Sequence, residues 1–339
     1  MSPSDPKDKP SFNIGLLLLD GFNAMAIQAF VDPFRCANYL RGSKLYDWSY
    51  LSVDGDDVVA SNGLTMGNLT NAVTSTGNFD LLVINSSWGV ERFDKAPWLS
   101  WLREQAQRGI TLLGIDTGAF VLAYAGLLLR KRAAVHYEHI AAFRELFPDI
   151  AMGEDLFVID GDRLTCAGGL AATDMALEII RLQQGIELTN AASRYIFHER
   201  LRSGDEGQFP DRREPVGYAA PAKLREAIIL MERNLEQPLS IGDIARKNAL
   251  SQRQLERLFQ QHSGITPVRY YLDVRLDRAR GLVTQTELPI VDIAVACGFS
   301  GSAQFSKAYR RRFANTPSRD RIEGRVPFQF RSFPSHAGV

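Results

Sequence analysis

Pro289-Ile-Val-Asp-Ile-Ala-Val-Ala-Cys-Gly-Phe-Ser300 repeats, about 50 residues on, the wording of Ser240-Ile-Gly-Asp-Ile-Ala245. In each copy a short segment with Ile and Ala on one face leads through a tight turn into a second amphipathic segment. That segment is Ser251-Gln-Arg-Gln-Leu-Glu-Arg-Leu-Phe259 in the first copy and Ser302-Ala-Gln-Phe-Ser-Lys-Ala-Tyr309 in the second. Two short helices about a tight turn, the second opened by a capping Ser, are the grammar of a helix-turn-helix, and the internal duplicate makes two of them. Two such second helices can enter successive major-groove segments if they lie about one turn of DNA, roughly 34 Å, apart.

Helical spacing extends on both sides of these copies, over residues 221–237, 240–248, 251–264, 267–284, 289–297 and 301–314, so an all-α domain is expected at 221–322. Its outward positions are Gln252, Arg253, Gln254, Glu256 and Arg257 in the first copy, and Ser302, Gln304, Lys307, Arg310 and Arg311 in the second, all but Glu256 being candidates for DNA contact. Arg and Gln can make bidentate contacts to guanine and adenine edges, while Lys and Arg further along meet phosphates. Charge agrees with this reading. The chain of 339 residues is neutral, with 39 Lys plus Arg and 39 Asp plus Glu, yet residues 1–219 hold 20 basic and 28 acidic side chains against 18 and 11 in 220–325. A basic block of that size suits a polyanion, because neutralised phosphates release their counterions.

Pro289 to Ser300, followed by Ser302 to Lys307, Phe313 and Thr316-Pro-Ser318, is similar to the signature of the AraC/XylS transcription regulators, whose DNA-binding domain carries two helix-turn-helix motifs joined by a linker helix. The resemblance covers about 100 residues. It implies double-stranded promoter or operator DNA as a partner, with RNA polymerase as a second.

The first 200 residues read differently. Continuous apolar runs at 14–19, 50–53, 81–85 and 110–116 alternate with helical patterns such as 24–40, the sign of a mostly parallel sheet covered on both faces. Residues 155–159 and 163–167 around Asp160-Gly-Asp162 form a hairpin, and 173–183 and 189–201 closing helices. A flavodoxin-like α/β domain is therefore expected at 12–202, after a polar tail at 1–11. A linker at 203–220 and a C-terminal tail at 323–339 complete the division. Cys36, Cys166 and Cys297 stand too far apart for a disulfide framework or a Cys-rich zinc site, and no apolar run is long enough to span a bilayer, so a reducing, cytoplasmic setting is expected.

Ile110-Thr-Leu-Leu-Gly-Ile-Asp-Thr-Gly-Ala-Phe120 has the layout of a strand, a sharp turn at Asp116 and a helix. In such an elbow the turn residue is exposed at the carboxyl end of the sheet, where α/β proteins bind ligands. The stretch resembles the elbow of PfpI/ThiJ-like domains, relatives of class I glutamine amidotransferases, with Asp20-Gly-Phe22 ending the first strand and a closing helix over 194–202. In that family a Cys commonly occupies the elbow. Asp116 stands there instead, and Ala26 falls where active relatives carry an acid, so the resemblance implies no thiolate nucleophile, no catalytic residue and no cofactor. Chemistry by the Asp116 carboxylate itself stays an alternative, as does a ligand-independent architectural DNA-binding protein.

Fusion of such a domain to an AraC-type reader resembles the GlxA-like regulators, which implies a ligand-responsive dimeric transcription factor, often an activator. Residues 23–32, 114–118 and 135–139 look most like the branch responding to glycine betaine, dimethylglycine or carnitine. An ionised Asp116 attracts a cation, and Trp88 on a neighbouring sheet-end loop can face that cation with its ring. The candidate ligand set is Asp116, Thr117, Trp88, Phe22, Asn23, His136, Tyr137 and Glu138. Blander roles remain open: Trp88 as a core or interface aromatic, Asp116 as a cap for Gly118 or Ala119, and His136-Tyr-Glu-His139 as pocket lining, since two imidazoles and one carboxylate without a remote ligand make no metal site.

Overall fold

A computed structural model of the chain describes residues 11–208 and 221–324. The chain divides into two compact units whose described parts are these two spans. Most of the expected N-terminal tail, residues 209–220 of the expected linker and the tail beyond 324 lie outside the described residues. Among the described residues no helix is long and apolar enough to cross a membrane.

The first unit is built on seven strands: β1 (Phe12–Leu18), β2 (Tyr46–Ser52), β3 (Thr70–Asn71), β4 (Leu81–Ser86), β5 (Thr111–Asp116), β6 (Phe157–Asp160) and β7 (Arg163–Cys166). Their order in the sheet is β6-β7-β5-β4-β1-β2-β3, and every pairing is parallel except the β6–β7 hairpin. Because β2 lies on one side of β1 and β4 on the other, the chain changes direction across the sheet between β1 and β4. In open α/β sheets the crevice at the carboxyl ends of such a pair is where ligands bind.

Side chains alternate along each strand, so β1, β4 and β5 have two buried faces. Ile14, Leu16, Leu81, Val83, Leu113 and Ile115 pack under α1 (Ala24–Arg41) and, later in the chain, α5 (Ala171–Gln184) and α6 (Ile186–Tyr195). α2 (Leu99–Gln107) packs on α3 (Gly118–Tyr124), which lies against β4 and β5, and Phe120 of α3 meets Phe143 of α4 (Ile140–Leu146) edge to face at 4.9 Å.

The closing helix stops at Tyr195 instead of running to 201 or 202, because Phe197 turns left-handed (φ 57°) and the chain folds back. The buried carboxylate of Asp174 fixes that return: it accepts both the Nε (2.9 Å) and Nη2 (2.6 Å) of Arg202, and His198 Nε2 lies 2.8 Å away. Residues 203–208 likewise stay on the first unit, with Gln208 Nε2 donating to the Val135 and Asp155 carbonyls, so the expected linker has not begun there.

The second unit is all helical: α7 (Ala222–Glu232), α8 (Ile241–Lys247), α9 (Gln252–Ser263), α10 (Pro267–Gln285), α11 (Ile290–Ala296), α12 (Ser302–Phe313) and α13 (Pro317–Gly324). The last of these is a helix that periodicity did not reveal. The duplicate is structural as well as verbal. Ile244, Ala245, Leu255 and Phe259 are buried in the first helix-turn-helix, and Ile293, Ala294, Phe305 and Tyr309 in the second. α10 joins the two, and its Arg275 donates to the Cys297 and Gly298 carbonyls at 2.8 and 2.6 Å while its guanidinium lies 4.4 Å from the centre of the Phe299 ring.

Each motif needs two left-handed residues, one in the turn and one closing the second helix. The first copy uses Ala249 (φ 54°) and Gly264 (φ 70°); the second uses Gly298 (φ 72°) and Ala314 (φ 54°). A Cβ on Gly298 would meet the Leu235 carbonyl oxygen at 2.5 Å, whereas Ala249 and Ala314 are exposed. A left-handed alanine carries a steric cost that glycine avoids. Ala249→Gly and Ala314→Gly should therefore each stabilise the second unit by about 1 kcal/mol, and Gly298→Ala should destabilise it by more. Urea unfolding followed by far-ultraviolet circular dichroism checks this; fluorescence does not, because the four tryptophans all precede residue 102.

Candidate functional site

Asp116 ends β5 in the left-handed region (φ 60°), and the next strand-to-helix step needs two glycines. A Cβ on Gly118 would come within 2.2 Å of the Ile84 carbonyl oxygen, and one on Gly114 within 2.7 Å of the Ala119 nitrogen. The elbow thus presses α3 onto β4 and β5, and Ser86 of β4 pairs in register with Asp116. Thr117 is buried beside it, its backbone N–H donating to the Ser86 carbonyl (3.1 Å) and its hydroxyl to the Ser87 carbonyl (2.8 Å).

The elbow residue is not exposed as the sequence suggests. Asp116 is 3% accessible, because the loops after β1, β4 and β7 fold over it. Asn23, at the N-terminus of α1, donates its Nδ2 to Asp116 Oδ2 at 2.8 Å. Gly168, just after β7, packs so closely that a Cβ there would lie 2.9 Å from the Asp116 Cβ. Nor does Asp116 cap α3: the N-cap is Thr117 and no side chain caps that helix. Burial pushes the Asp116 carboxyl above the usual carboxylate range, while the His136 charge and hydrogen bonds from Asn23 and Ser87 pull it back and the Glu138 charge raises it.

The other candidates divide. Trp88 is half-buried on the β4 loop, its backbone N–H donating to the Gly21 carbonyl (3.3 Å), and His136 is half-buried with its ring 4.3 Å from that of exposed Tyr137. Phe22 is a correction: it is wholly buried in the core beneath α1, so in this arrangement it packs the sheet and presents no face to a ligand. Three participants were missed, Asn85, Ser87 and Gly168. The polar run Asn85-Ser-Ser87 closing an apolar strand is a signal for the first two, and nothing local marks Gly168. Cys166 sits beside the elbow on β7, opposite Ile115, but burial pushes its thiol up to about 12, so it offers no thiolate there. The arrangement is a desolvated carboxylate at the sheet's switch point, which can bind and neutralise a cation.

In the second unit all nine DNA-facing candidates are exposed. Arg253 and Arg257 on α9, and Lys307, Arg310 and Arg311 on α12, make no ion pair among the described residues. The glutamines are already engaged. Gln254 completes a capping box by accepting from the Ser251 N–H (2.8 Å), Gln252 donates to Glu256 (2.9 Å), and Gln304 accepts from the Ser300 hydroxyl (2.8 Å). The second copy departs from the expected Ser cap. Five residues separate α11 from α12 where four separate α8 from α9, so the N-cap falls on Gly301 and Ser302 becomes the first helical residue.

A family model described as a helix-turn-helix domain matches residues 244–322. Over nearly the whole chain the protein is similar to three HTH-type transcriptional regulators. It is 40% identical to GbdR of Pseudomonas aeruginosa over 320 residues, which is 94% of this chain and 86% of that protein. It is 40% identical to CdhR of the same organism over 305 residues, 90% of each. The identity to GlxA of Rhizobium meliloti is 34% over 304 residues, 90% of this chain and 94% of that one. Among solved structures, a Vibrio parahaemolyticus protein shares the fold at a TM-score of 0.50 and 24% identity, covering 55% of this chain and 100% of its own.

A carboxyl whose titration is raised by burial holds its proton more tightly in the folded than in the unfolded chain. Stability then falls as pH rises from the unfolded value through the folded one, and stays lower above it. Asp116→Asn keeps an acceptor for Asn23 and tolerates the left-handed backbone. It should raise the melting temperature at neutral pH, with the gain shrinking as pH drops towards the ordinary carboxylate range. A melting-temperature series against pH for the two proteins reads the difference directly; a gain that does not change with pH would refute the assignment.

Proposed function

Because this chain belongs to the AraC-family HTH-type transcriptional regulators of the GbdR, CdhR and GlxA type, we propose that its first unit is a sensor for a methylated or quaternary amine that controls DNA binding by the second. The observation that supports the sensor reading is the Asp116 carboxylate, buried at the switch point where relatives of the fold carry a thiol, and held by Asn23. A cation beside it gains charge pairing in a site already stripped of water, and Trp88 on the adjoining loop adds an aromatic face. Glycine betaine, dimethylglycine and carnitine are the effectors of choice.

The regulator acts in the cytoplasm as a homodimer on a promoter, most simply as an activator that engages RNA polymerase. Arg253, Arg257, Ser302 and Gln304 face bases, and Lys307, Arg310 and Arg311 face phosphates. Base reading by Gln252, Gln254 or Gln304 requires release of the local hydrogen bonds described above. Effector control follows if the ligand binds one state of the protein better than another, since equal affinity shifts nothing.

Two measurements test the two halves. In a thermal-shift screen of the full chain, a methylated amine at 100 times its Kd should add about 2.7 kcal/mol of stability. Asp116→Ala should abolish that shift and Trp88→Ala reduce it; a panel of methylated amines that moves nothing would end the amine assignment. On DNA, Arg253→Ala should narrow the gap between specific and random duplexes, whereas Arg311→Ala should weaken both alike and reduce the salt slope by about one. Equal losses for the two variants would refute this division of labour.

A further inference from the structure

Asn85, the penultimate residue of β4, is wholly buried at the switch point. Its Nδ2 donates to the Asn23 carbonyl oxygen at 2.9 Å. A carbonyl oxygen can only accept, so this bond fixes which end of the amide is nitrogen. The opposite end, Oδ1, is therefore a true acceptor, and it is buried without a hydrogen-bond partner. Asn23 is fixed in the same way: its Oδ1 accepts from the Ala26 N–H at 3.1 Å, so its Nδ2 must face Asp116. One residue, Asn23, thus binds both Asn85 and Asp116, and the network it joins ends in two acceptors, the Asp116 carboxylate and Asn85 Oδ1.

A buried acceptor left unmatched is costly, and native structures rarely tolerate one without a reason. Each amide nitrogen has two N–H groups, and their bonds go to Asp116 and to the Asn23 carbonyl, none to Asn85 Oδ1; the adjacent Ser86 hydroxyl, itself buried without a partner, does not bond it either. The acceptor is left for a donor from outside the network. A positive charge satisfies the carboxylate alone; a positive charge with an N–H satisfies both.

We propose that the sensor site selects ammonium ions that carry at least one N–H over fully quaternary ones, with Asn85 as the specificity-determining acceptor. The proposal rests on the reading of Asp116 as the amine site. A quaternary ammonium pairs with Asp116 by charge but leaves Asn85 Oδ1 unmatched, bound or free. A tertiary ammonium makes the same charge pairing and supplies the missing donor.

Dimethylglycine and glycine betaine form a matched pair, differing by one N–H in place of one N–CH₃. Titration calorimetry on the full chain should show dimethylglycine binding about tenfold more tightly, the worth of one added buried hydrogen bond to a charged donor. Asn85→Leu, which also frees the Asn23 carbonyl, should bring the two within about twofold of each other, the ratio being read whatever both affinities lose. Equal affinities, or tighter binding of glycine betaine, would overturn the selection while leaving the amine reading in place. Binding of neither ligand, or binding that Asp116→Asn does not weaken, would overturn both. If Asn85→Leu does not fold, trimethylammonium against tetramethylammonium on the unaltered protein gives a second ratio, also expected to favour the N–H form about tenfold, and a ratio of one there counts against the proposal.

Discussion

The contact of Gly118 with the Ile84 carbonyl is the constraint on which the first unit depends. With no room for a Cβ between α3 and β4, the helix sits hard against the sheet, and the chain turns into it from β5 through a left-handed residue, Asp116. Its carboxylate is thereby delivered to the crevice between β1 and β4, where Asn23 from the start of α1 and Gly168 from the end of β7 close over it. In an enzyme such an elbow strains a nucleophile into reach of its substrate. Here the same geometry holds a carboxylate out of water, and an acceptor so placed suits recognition of charge.

The second unit shows how a duplicated motif stays one fold while its copies diverge. Buried positions are preserved in kind, with Ile244 and Ile293 equivalent and Leu255 and Phe259 answered by Phe305 and Tyr309. The left-handed positions are preserved in conformation but not in residue, since glycine and alanine exchange places between the copies. Glycine is obligatory only at 298, where the Leu235 carbonyl crowds the turn and Arg275 of α10 binds it. The one-residue-longer second turn removes a Ser cap from α12, leaving Ser302 in the first helical turn, exposed.

Periodicity made the architecture legible. Apolar runs located the central strands, and the repeated Ile-Ala pattern located both helix-turn-helix motifs. What escaped it were features set by long-range contact. The helix expected to close the first unit has the spacing to continue past Tyr195, but Asp174, 28 residues before Arg202, draws the chain back with an arginine and a histidine. Nothing local to 194–202 encodes that. The site was legible in part for the same reason: Asp116, Asn23 and Trp88 follow from where strands end, whereas the burial of Asp116 and of Phe22 depends on loops far apart in sequence. Asn85 went unmarked because a polar residue at a strand end is ordinary, and only its orphaned oxygen sets it apart.

The closure of the site bears on how a ligand could act. With Asp116 3% accessible, no molecule reaches its carboxylate without moving at least one of the loops that carry Asn23, Ser87 and Gly168. Those loops are not free to move alone. Asn23 caps α1 through the Ala26 N–H, and Gly168 leads directly into α5, which carries Asp174. Asp174 in turn holds His198 and Arg202, in the segment that leads through residues 203–208 to the chain's exit from the first unit. Ligand contact at the elbow and the conformation of that exit segment are thus joined by packed, hydrogen-bonded structure. A ligand whose binding requires the loops to shift necessarily has different affinities for the shifted and unshifted states, and that difference is the free energy available for control.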